Sequence, residues 1–303
     1  MELKSLDKKE RCRMWFKQNT FPLILGSLIA LYILSLLLPV LWGLFTSFRE
    51  YRDFLEEPFG ANGELTFKNY IITINELKIK TPTATGGSRY IYIEEMLFNS
   101  LLYAFGLPIC SVIPVCTIGY VMAKYKFKFN KLLMFCIVAV MTMPTIGGVA
   151  GELAMLKALN IYDTFFGMCC LKFGFATTWC LIYYSAFEGV SWDYAEAVFI
   201  DGGNHFTVFF NVMLPFVKSF NITFFLLMLM SHWVDYNLSM FYMPSRPNLA
   251  YGLYYAKFTL PAIQRETVTF AASFMLALPT ILLYVFLADT LMGEHMQLGG
   301  LKG

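Results

Sequence analysis

Residues 195–215 have the sequence AEAVFIDGGNHFTVFFNVMLP, a short, partly polar segment with two adjacent glycines near its middle. Long apolar runs precede and follow it. The segment predicts two short helices joined by a turn, because glycine readily adopts the left-handed conformation in which many helices end. We call residues 188–215 the elbow and expect it to present a water-exposed docking surface within an otherwise apolar chain.

Polar residues mark the ends of the two short helices. Asp193 and Glu196 have the spacing of a reciprocal cap, in which the side chain of each accepts the backbone N–H of the other. Gly202 and Gly203 predict the end of the first helix, because glycine enters the left-handed conformation required there. Asn204 is a suitable cap for the second helix.

The second short helix carries apolar residues at positions i, i+3, i+4 and i+7, which predicts a single apolar face. These residues are Phe206, Phe209, Phe210 and Met213. Pro215 then suits the first turn of the next membrane helix, where its missing N–H is harmless. The prediction is a rigid elbow lying across the ends of the membrane helices. An ordinary interfacial helix that only connects two spans is the alternative that composition leaves open.

The composition of the chain is that of a membrane protein. Of its 303 residues, 57% are hydrophobic, 17% aromatic and only 15% charged, and the mean hydropathy is +0.57. These values are far from those of soluble globular proteins. The net charge of +2 comes from dispersed basic residues, so no nucleic-acid partner is expected.

Six apolar segments are each long enough to cross a hydrocarbon core of about 30 Å at about 1.5 Å per helical residue. They are residues 21–48, 97–123, 132–151, 164–187, 220–242 and 267–291. We therefore expect an all-α integral membrane protein with six transmembrane helices and the elbow between the fourth and fifth. Its parts are an N-terminal segment (1–20), the transmembrane domain (21–292) and a C-terminal tail (293–303).

Lysine and arginine residues predict the orientation, because near the ends of spans they remain in the cytoplasm. One cluster precedes the first span and another follows the second: Lys4, Lys8, Lys9, Arg11, Arg13 and Lys17, then Lys124, Lys126, Lys128 and Lys131. With six spans, both termini and the elbow face the cytoplasm of a multi-pass protein of the cell membrane. The elbow is itself acidic, through Glu188, Asp193, Glu196 and Asp201. A docking function would explain this departure from the rule.

Six positions of the elbow have the residue types and spacing of a known motif: Glu196, Ala197, Asp201, Gly202, Leu214 and Pro215. They resemble the EAA loop in permease subunits of binding-protein-dependent ABC importers. The usual form of that loop is E-A-A, three residues, G, then a short helix ending I-x-L-P. The departures are Val198 at the third position and Gly203 where alanine is common.

In that family the elbow is a coupling helix seated in a cleft of the ATPase subunit. The resemblance therefore implies that Glu196, Ala197, Asp201, Gly202 and Gly203 transmit nucleotide-driven movement. It also implies a sister permease, two copies of a cytoplasmic ATPase and an external solute-binding protein as partners.

Three further stretches resemble the shorter permease of carbohydrate importers of the maltose type. They are residues 99–101 (NSL), residues 231–236 (SHWVDY, similar to S-W-N-D-F) and residues 299–303 (GGLKG, similar to a glycine-ended tail). This resemblance implies a sugar or oligosaccharide as solute, with other polar solutes such as polyamines as the alternative. The loop of residues 49–95 is longer than expected, which leaves its contact with a binding protein open.

The chain carries no sign of catalysis. It contains no G-x-x-x-x-G-K-[ST] loop, so ATP and Mg²⁺ are expected on a separate ATPase subunit. Neither the three histidines nor the seven cysteines have the spacing of a metal site, and no G-x-S-x-G nucleophile is present. We expect a subunit that is not an enzyme and that binds no cofactor or metal. A membrane-bound enzyme is accordingly disfavoured.

Ionisable residues inside spans are candidates for the solute pathway, because charge in hydrocarbon is costly unless it is paired or faces a wet cavity. Lys172 and Asp235 meet this description in the fourth and fifth segments. They are interpreted as a pair or as separate contacts to a polar solute. Alternatively, Lys172 extends outward to the interface and Asp235 caps a shorter span.

Trp233, Tyr236 and Met240 have the spacing of one aromatic face on the fifth helix, which could stack against sugar rings. Helix packing or an interfacial aromatic belt is the alternative. Possible bends lie at Pro144, Gly147, Gly148 and Pro279. An ion-driven secondary transporter remains a rival class, although the sequence has neither the internal repeats nor the paired carboxylates expected for one.

Overall fold

The computed structural model describes residues 8–60, 62–82, 87–143 and 147–292. The first part contains α1 (Lys8–Ser47), α2 (Tyr51–Glu56), α3 (Lys68–Glu76), β1 (Lys78–Pro82), β2 (Ser88–Tyr92), α4 (Ile93–Lys124), α5 (Asn130–Thr142), α6 (Gly148–Ala158), α7 (Phe165–Lys172) and α8 (Thr178–Glu188). The chain is mostly helical, as the sequence predicts. Pro144 and the tail of residues 293–303 lie outside the described residues.

The described elbow and C-terminal part consist of helices and their connections. They contain α9 (Asp193–Ile200), α10 (His205–Thr207), a π-helix (Val208–Met213), α11 (Leu214–Phe216), α12 (Lys218–Val234), a second π-helix (Leu238–Tyr242), α13 (Leu249–Thr259) and α14 (Glu266–Met292). The sequence had not predicted α13 as a separate helix.

Three described helical stretches are long and apolar enough to cross a membrane: Thr20–Ser47, Ile93–Lys124 and Glu266–Ala288. A fourth is obtained if His205–Phe216 and Lys218–Val234, which meet at an angle of 72°, are counted as one bent span. The long helices coincide with the first, second and sixth predicted segments.

The other three segments are not single helices, which corrects the prediction. The third is interrupted between α5 and α6, where Gly147 has a φ of 77°. The fourth breaks between α7 and α8, because Thr177 is extended and a new helix begins after it. The fifth ends at Val234, because Asp235 takes an extended conformation. The apolar character of the sequence therefore predicted where helices lie but not where they are interrupted.

α4 is the central helix of the bundle and packs against α7, α8, α12 and α13. Its contact with α8 is closest at Gly119, where an added Cβ would lie 2.7 Å from Cβ of Tyr183 and 3.1 Å from the backbone nitrogen of Tyr184. Only glycine leaves room for the two backbones at this crossing. The largest buried cluster surrounds it and extends from α4 and α8 to the elbow.

The long connection between α1 and α4 is a folded unit that contains α2, α3 and an antiparallel hairpin pairing Lys78 with Tyr92. Arg49 is only 1% exposed and donates to the carbonyl groups of residues 53, 57, 58 and 62. At the surface of this folded unit, the Lys68 ammonium lies 2.6 Å from the Glu50 carboxylate, and this hydrogen bond lowers the pKa of Glu50. The hairpin side chains pack on α13 and α14 in a second buried cluster.

Candidate functional site: the elbow and the polar residues of the bundle

The first elbow helix, α9, begins without a side-chain cap. The backbone N–H groups of Ala195 and Glu196 donate to the carbonyl oxygen of Trp192 at 2.8 and 3.1 Å. Asp193 already lies inside the helix, and its own N–H donates to Oγ of Ser191 at 3.2 Å. The predicted reciprocal cap between Asp193 and Glu196 is therefore wrong, because the helix starts one residue earlier than that cap requires.

The glycine turn ends α9 with a Schellman motif. Gly202 has a φ of 80°, as predicted, and its N–H donates to the carbonyl of Phe199 at 3.0 Å. The N–H of Gly203 donates to the carbonyl of Val198 at 2.8 Å, which completes the pair of bonds that defines the motif. Gly203 does not share the positive φ. It must be glycine for another reason, since an added Cβ would lie 2.5 Å from Cγ1 of Val198.

The second elbow helix begins at the predicted cap. Oδ1 of Asn204 accepts the N–H of Thr207 at 3.0 Å, and Oγ1 of Thr207 accepts the N–H of Asn204 at 3.5 Å. The predicted residue is thus confirmed, and Thr207 completes a capping box that the sequence reasoning had missed.

The predicted apolar face of this helix is partly wrong. Val208 and Met213 are buried, whereas Phe206 is 74% and Phe210 57% exposed. The reason is the π-helix of residues 208–213, in which i→i+5 hydrogen bonds bring positions five apart onto one side. Val208 and Met213 have this spacing. The α-helical spacing of the phenylalanines therefore does not describe the buried side.

Pro215 lies in α11, the last short helix of the elbow, and not in the first turn of the next membrane helix. α12 begins at Lys218, after the bend of 72°. Leu214 is half-buried and packs on the largest core cluster. The final pair of the EAA-like motif thus marks the bend.

The elbow is attached to the bundle through buried side chains and through α4. Ala195, Val208 and Met213 belong to the largest core cluster. Nδ1 of His205 lies 2.9 Å from the hydroxyl of Tyr125, just after α4, and Nζ of Lys124 donates to the carbonyl of residue 190. The elbow therefore packs directly against residues of α4 and α8.

The outer surface of the elbow carries the remaining motif positions. Glu196, Ala197, Asp201 and Gly202 are all exposed. Ile200, between them, is 85% exposed. An acidic surface with an exposed apolar residue at its centre is suited to a protein contact.

Lys172 and Asp235 do not form an ion pair within the described part of the chain, where Lys172 ends α7 and is half-buried. Oδ1 of Asp235 instead accepts the N–H groups of Asn237 at 3.0 Å and Leu238 at 3.4 Å. Asp235 thereby caps the second π-helix. This is the alternative role that the sequence analysis had considered for it.

The three residues of the predicted aromatic face do not share one helix, because α12 ends at Val234. Trp233 is buried, and its Nε1 donates to the carbonyl of Leu276 at 2.8 Å. Tyr236 is more exposed and stacks on Tyr254, with ring centroids 4.6 Å apart. Met240 lies on the π-helix. Trp233 is thus a packing residue between α12 and α14, whereas Tyr236 is accessible.

A buried polar network joins α4 to the segment before α13. Nδ2 of Asn99 donates to the carbonyl of Pro247 at 3.0 Å, and Oγ of Ser100 accepts the N–H of Leu249 at 2.7 Å. Asn248 donates from Nδ2 to the carbonyl of Asp235 and from its N–H to Oγ of Ser239, at 2.8 and 2.9 Å. The sequence reasoning noted residues 99–101 only as a resemblance and missed this role.

His232 is a second residue that the sequence reasoning did not select for the pathway. It is 4% exposed, and among the described residues neither ring nitrogen has a hydrogen-bond partner. Such an unpaired buried ring is costly in a static structure. Its position three residues before Asp235 makes it a candidate pathway residue alongside Lys172 and Asp235.

One cavity lies next to Val234 at the end of α12, and another lies at the elbow. A pocket of about 280 Å³ between α13 and α14 is lined in part by Tyr254, Lys257 and Ser273. Another, of about 400 Å³, lies under the elbow beside Tyr120 and His205. In the described ranges no three His, Cys, Asp or Glu side chains gather in a geometry that could hold a metal ion.

The long apolar helices define this protein as a multi-pass membrane protein. The family described as "Binding-protein-dependent transport system inner membrane component" matches residues 116–291. The chain belongs to this family, in which the membrane component is distinct from the subunit that hydrolyses ATP.

Individual relatives are more distant. The diacetylchitobiose uptake system permease protein NgcG of Streptomyces coelicolor is 24% identical over 65% of this chain, and the match spans 61% of that relative's length. The maltodextrin transport system permease protein MdxG of Bacillus subtilis is 27% identical over 68% of this chain, and the match spans 74% of the length of MdxG.

A solved structure of a bacterial ABC transporter involved in the import of the acidic polysaccharide alginate contains a similar chain. The TM-score is 0.74 at 20% identity, covering 90% of this chain and 96% of that one. This likeness establishes the fold of the permease.

Proposed function

We propose that this chain is a permease subunit of an ATP-driven ABC importer and forms half of the pathway for a sugar or oligosaccharide delivered by an external binding protein. The observation that carries the proposal is the exposed EAA-like surface held on a rigid elbow whose other side is buried in the bundle. The names of the two relatives, a diacetylchitobiose and a maltodextrin system, support a sugar. Another polar solute is the alternative.

The proposed topology has six spans. α1, α4 and α14 each supply one, and the pairs α5–α6 and α7–α8 supply two broken spans. α12 with the bent segment before it and the π-helix after it supplies the remaining one. The basic residues before the first span and after the second then place both termini and the elbow in the cytoplasm.

In the proposed mechanism the ATPase subunit contacts Glu196, Ala197, Asp201, Gly202 and Gly203. ATP and Mg²⁺ are bound by two copies of that subunit, and this chain contributes no catalytic group or cofactor. Movement of the ATPase displaces the elbow as a rigid unit, because its Schellman motif and capping box resist local unfolding. Leu214 and Pro215 transmit the displacement to α12, while a sister permease supplies the other half of the pathway.

The test is reconstitution of the chain in lipid with its sister permease, ATPase and binding protein. ATPase activity and uptake are measured across a panel of sugars, polyamines and amino acids. Stimulation by a particular glycan supports the proposal in full. Stimulation by a non-sugar alone retains the importer and rejects the sugar.

Charge reversal tests the elbow separately. Glu196→Lys is expected to abolish co-purification of the ATPase, because it reverses charge on the docking surface. The matched control is Glu188→Lys, an exposed reversal in the same loop outside the motif, which is expected to retain the ATPase. Equal retention by both variants would overturn the docking surface, and uptake driven by an ion gradient without any ATPase would favour a secondary transporter.

A further inference from the structure

A basic pocket of about 520 Å³ lies where α4 ends and α5 begins, with a wall from α8. Its lining includes three basic side chains and three aromatic or apolar ones: Lys126, Lys128, Lys131, Phe127, Met134 and Tyr184. Its position is at the membrane boundary, because the candidate span of α4 ends at Lys124, two residues before the pocket. The elbow is on the same side of the bundle, since Tyr125 contacts His205.

The three lysines of the pocket are exposed, and no carboxylate of a described residue pairs with them within 4.0 Å. Lys124, one residue before Tyr125, instead turns toward the elbow and donates to a carbonyl there. On the α8 side of the pocket, the Tyr184 hydroxyl donates to Oε1 of Glu188 at 3.5 Å. Three unpaired ammonium groups leave the pocket with a net positive charge.

The loop that carries the lysines has a defined shape. Nδ2 of Asn130 donates to the carbonyl of Met122 at 2.8 Å, which ties the start of α5 to the last turn of α4. The N-terminal end of the 13-residue α5 also opens onto the pocket, because Asn130 and Lys131 line it. The partial positive charge of that helix end adds to the field of the lysines.

The surface beside the pocket is apolar. Leu132, Phe135 and Val138 are exposed on α5 and recur every three residues along the helix. The walls formed by Phe127 and Met134 continue this surface into the pocket. A ligand that fits both parts carries a negative headgroup and hydrocarbon chains.

We propose that this pocket binds the headgroup of an anionic phospholipid of the adjacent leaflet, with its phosphate among Lys126, Lys128 and Lys131 and its acyl chains along α5. Basic pockets beside membrane helices commonly take such lipids, and each lysine near the headgroups contributes to binding. Bound lipid would hold the α4–α5 loop, which contacts the elbow through Tyr125. The proposal is independent of which solute the protein carries.

The experiment measures lipid bound to the purified complex by native mass spectrometry, after exchange into phosphatidylglycerol or phosphatidylcholine at equal concentration. Wild-type protein is expected to retain phosphatidylglycerol preferentially. Each of Lys126→Gln, Lys128→Gln and Lys131→Gln is expected to lower that binding about fivefold. The matched control is Lys218→Gln, which removes one exposed charge on the elbow side outside the pocket and is expected to leave it unchanged.

Two further arms identify the source of the negative charge and the occupant of the apolar face. Soluble glycerol phosphate at the same concentration is expected to bind poorly, and equal binding would replace the lipid with a free phosphate. If Lys218→Gln lost as much phosphatidylglycerol as the pocket variants, binding would depend on diffuse surface charge, and the proposed lipid site would be rejected. A triple lysine variant that loses its sister permease but retains lipid would assign the face to that subunit.

Discussion

Gly202 and Gly203 are neighbours in the sequence, yet their positions require glycine for different reasons. Gly202 has a positive φ, and no atom of the described residues lies within 4 Å of an added Cβ, so the requirement is conformational. Gly203 lacks the positive φ, and its requirement is the close approach of Val198. The two requirements can be separated, because asparagine tolerates the left-handed conformation but brings a side chain.

Gly202→Asn is accordingly expected to preserve the fold of the elbow. Gly203→Ala is expected to destabilise it by about 1–3 kcal/mol, because the backbone or Val198 must move. Hydrogen exchange of the elbow amides measures the local stability. Faster exchange in Gly202→Asn than in Gly203→Ala would contradict this assignment.

Asn248 holds together the residues on both sides of the second π-helix. It is fully buried, and its Oδ1 caps α13 by accepting the N–H of Tyr251 at 2.9 Å. Asn248→Ala removes this cap and leaves the carbonyl of Asp235 without its donor. The expected loss of stability is about 2–4 kcal/mol.

Thermal unfolding of the purified protein measures this loss. The matched control is Asn237→Ala, an exposed asparagine whose side chain makes no capping bond. Its expected effect is within about 0.5 kcal/mol. A similar decrease in unfolding temperature for both variants would show that the buried network does not stabilise the bundle.

At the scale of elements, the contact between α4 and α8 depends on Gly119. A leucine there would overlap the backbone of α8 at Tyr183 and Tyr184, so Gly119→Leu is expected to separate the two helices and lower the yield of folded protein. Gly26→Leu is the control, because in the described part of the chain no atom lies within 4 Å of a Cβ added to Gly26 on α1. Equal yields of the two variants would disprove the close crossing.

The interrupted segments show why some apolar stretches of the sequence do not form single continuous helices. α12 ends where Asp235 accepts two backbone N–H groups and starts the π-helix. The elbow bends before α12 by 72°. At the Asp235 break, side chains satisfy the freed backbone groups, as membrane proteins require: Asp235 accepts two N–H groups, and Asn248 donates to the carbonyl of Asp235. Apolar side chains continue across the breaks in the sequence, which is why the length of the apolar segments predicted uninterrupted spans.

At the scale of the whole molecule, measurements of solute uptake test whether Lys172 and Asp235 belong to the solute pathway. Lys172→Met and Asp235→Asn are each expected to abolish solute uptake while the complex still assembles. Asp235→Asn is informative because its remaining carbonyl oxygen can still accept the two N–H groups of the π-helix. Asp235→Ala loses both the charge and the cap, so it is expected to lower stability as well.

Radiolabelled solute uptake and recovery of assembled complex are measured together. Normal uptake by both Lys172→Met and Asp235→Asn would remove these residues from the pathway. A loss of assembled complex in Asp235→Asn would show a structural role for its charge.

Local chemistry made the ends of the elbow helices predictable. A glycine at a helix end and an asparagine before a helix act through bonds to residues at most five positions away, so Gly202 and Asn204 are where the sequence placed them. Long uninterrupted apolar runs likewise identified α1, α4 and α14. The motif of the elbow and the composition together indicated the family.

Tertiary structure decided the features that join distant residues. Asn99 binds the carbonyl of Pro247, 148 positions away, and Trp233 binds that of Leu276, 43 positions away. The buried side of the first π-helix likewise depends on packing against the bundle. The sequence by itself therefore determined the membrane class, the long spans and the turn of the elbow, because these follow from local composition and hydrogen bonding. The breaks, the buried network and the basic pocket arise only when separate helices meet.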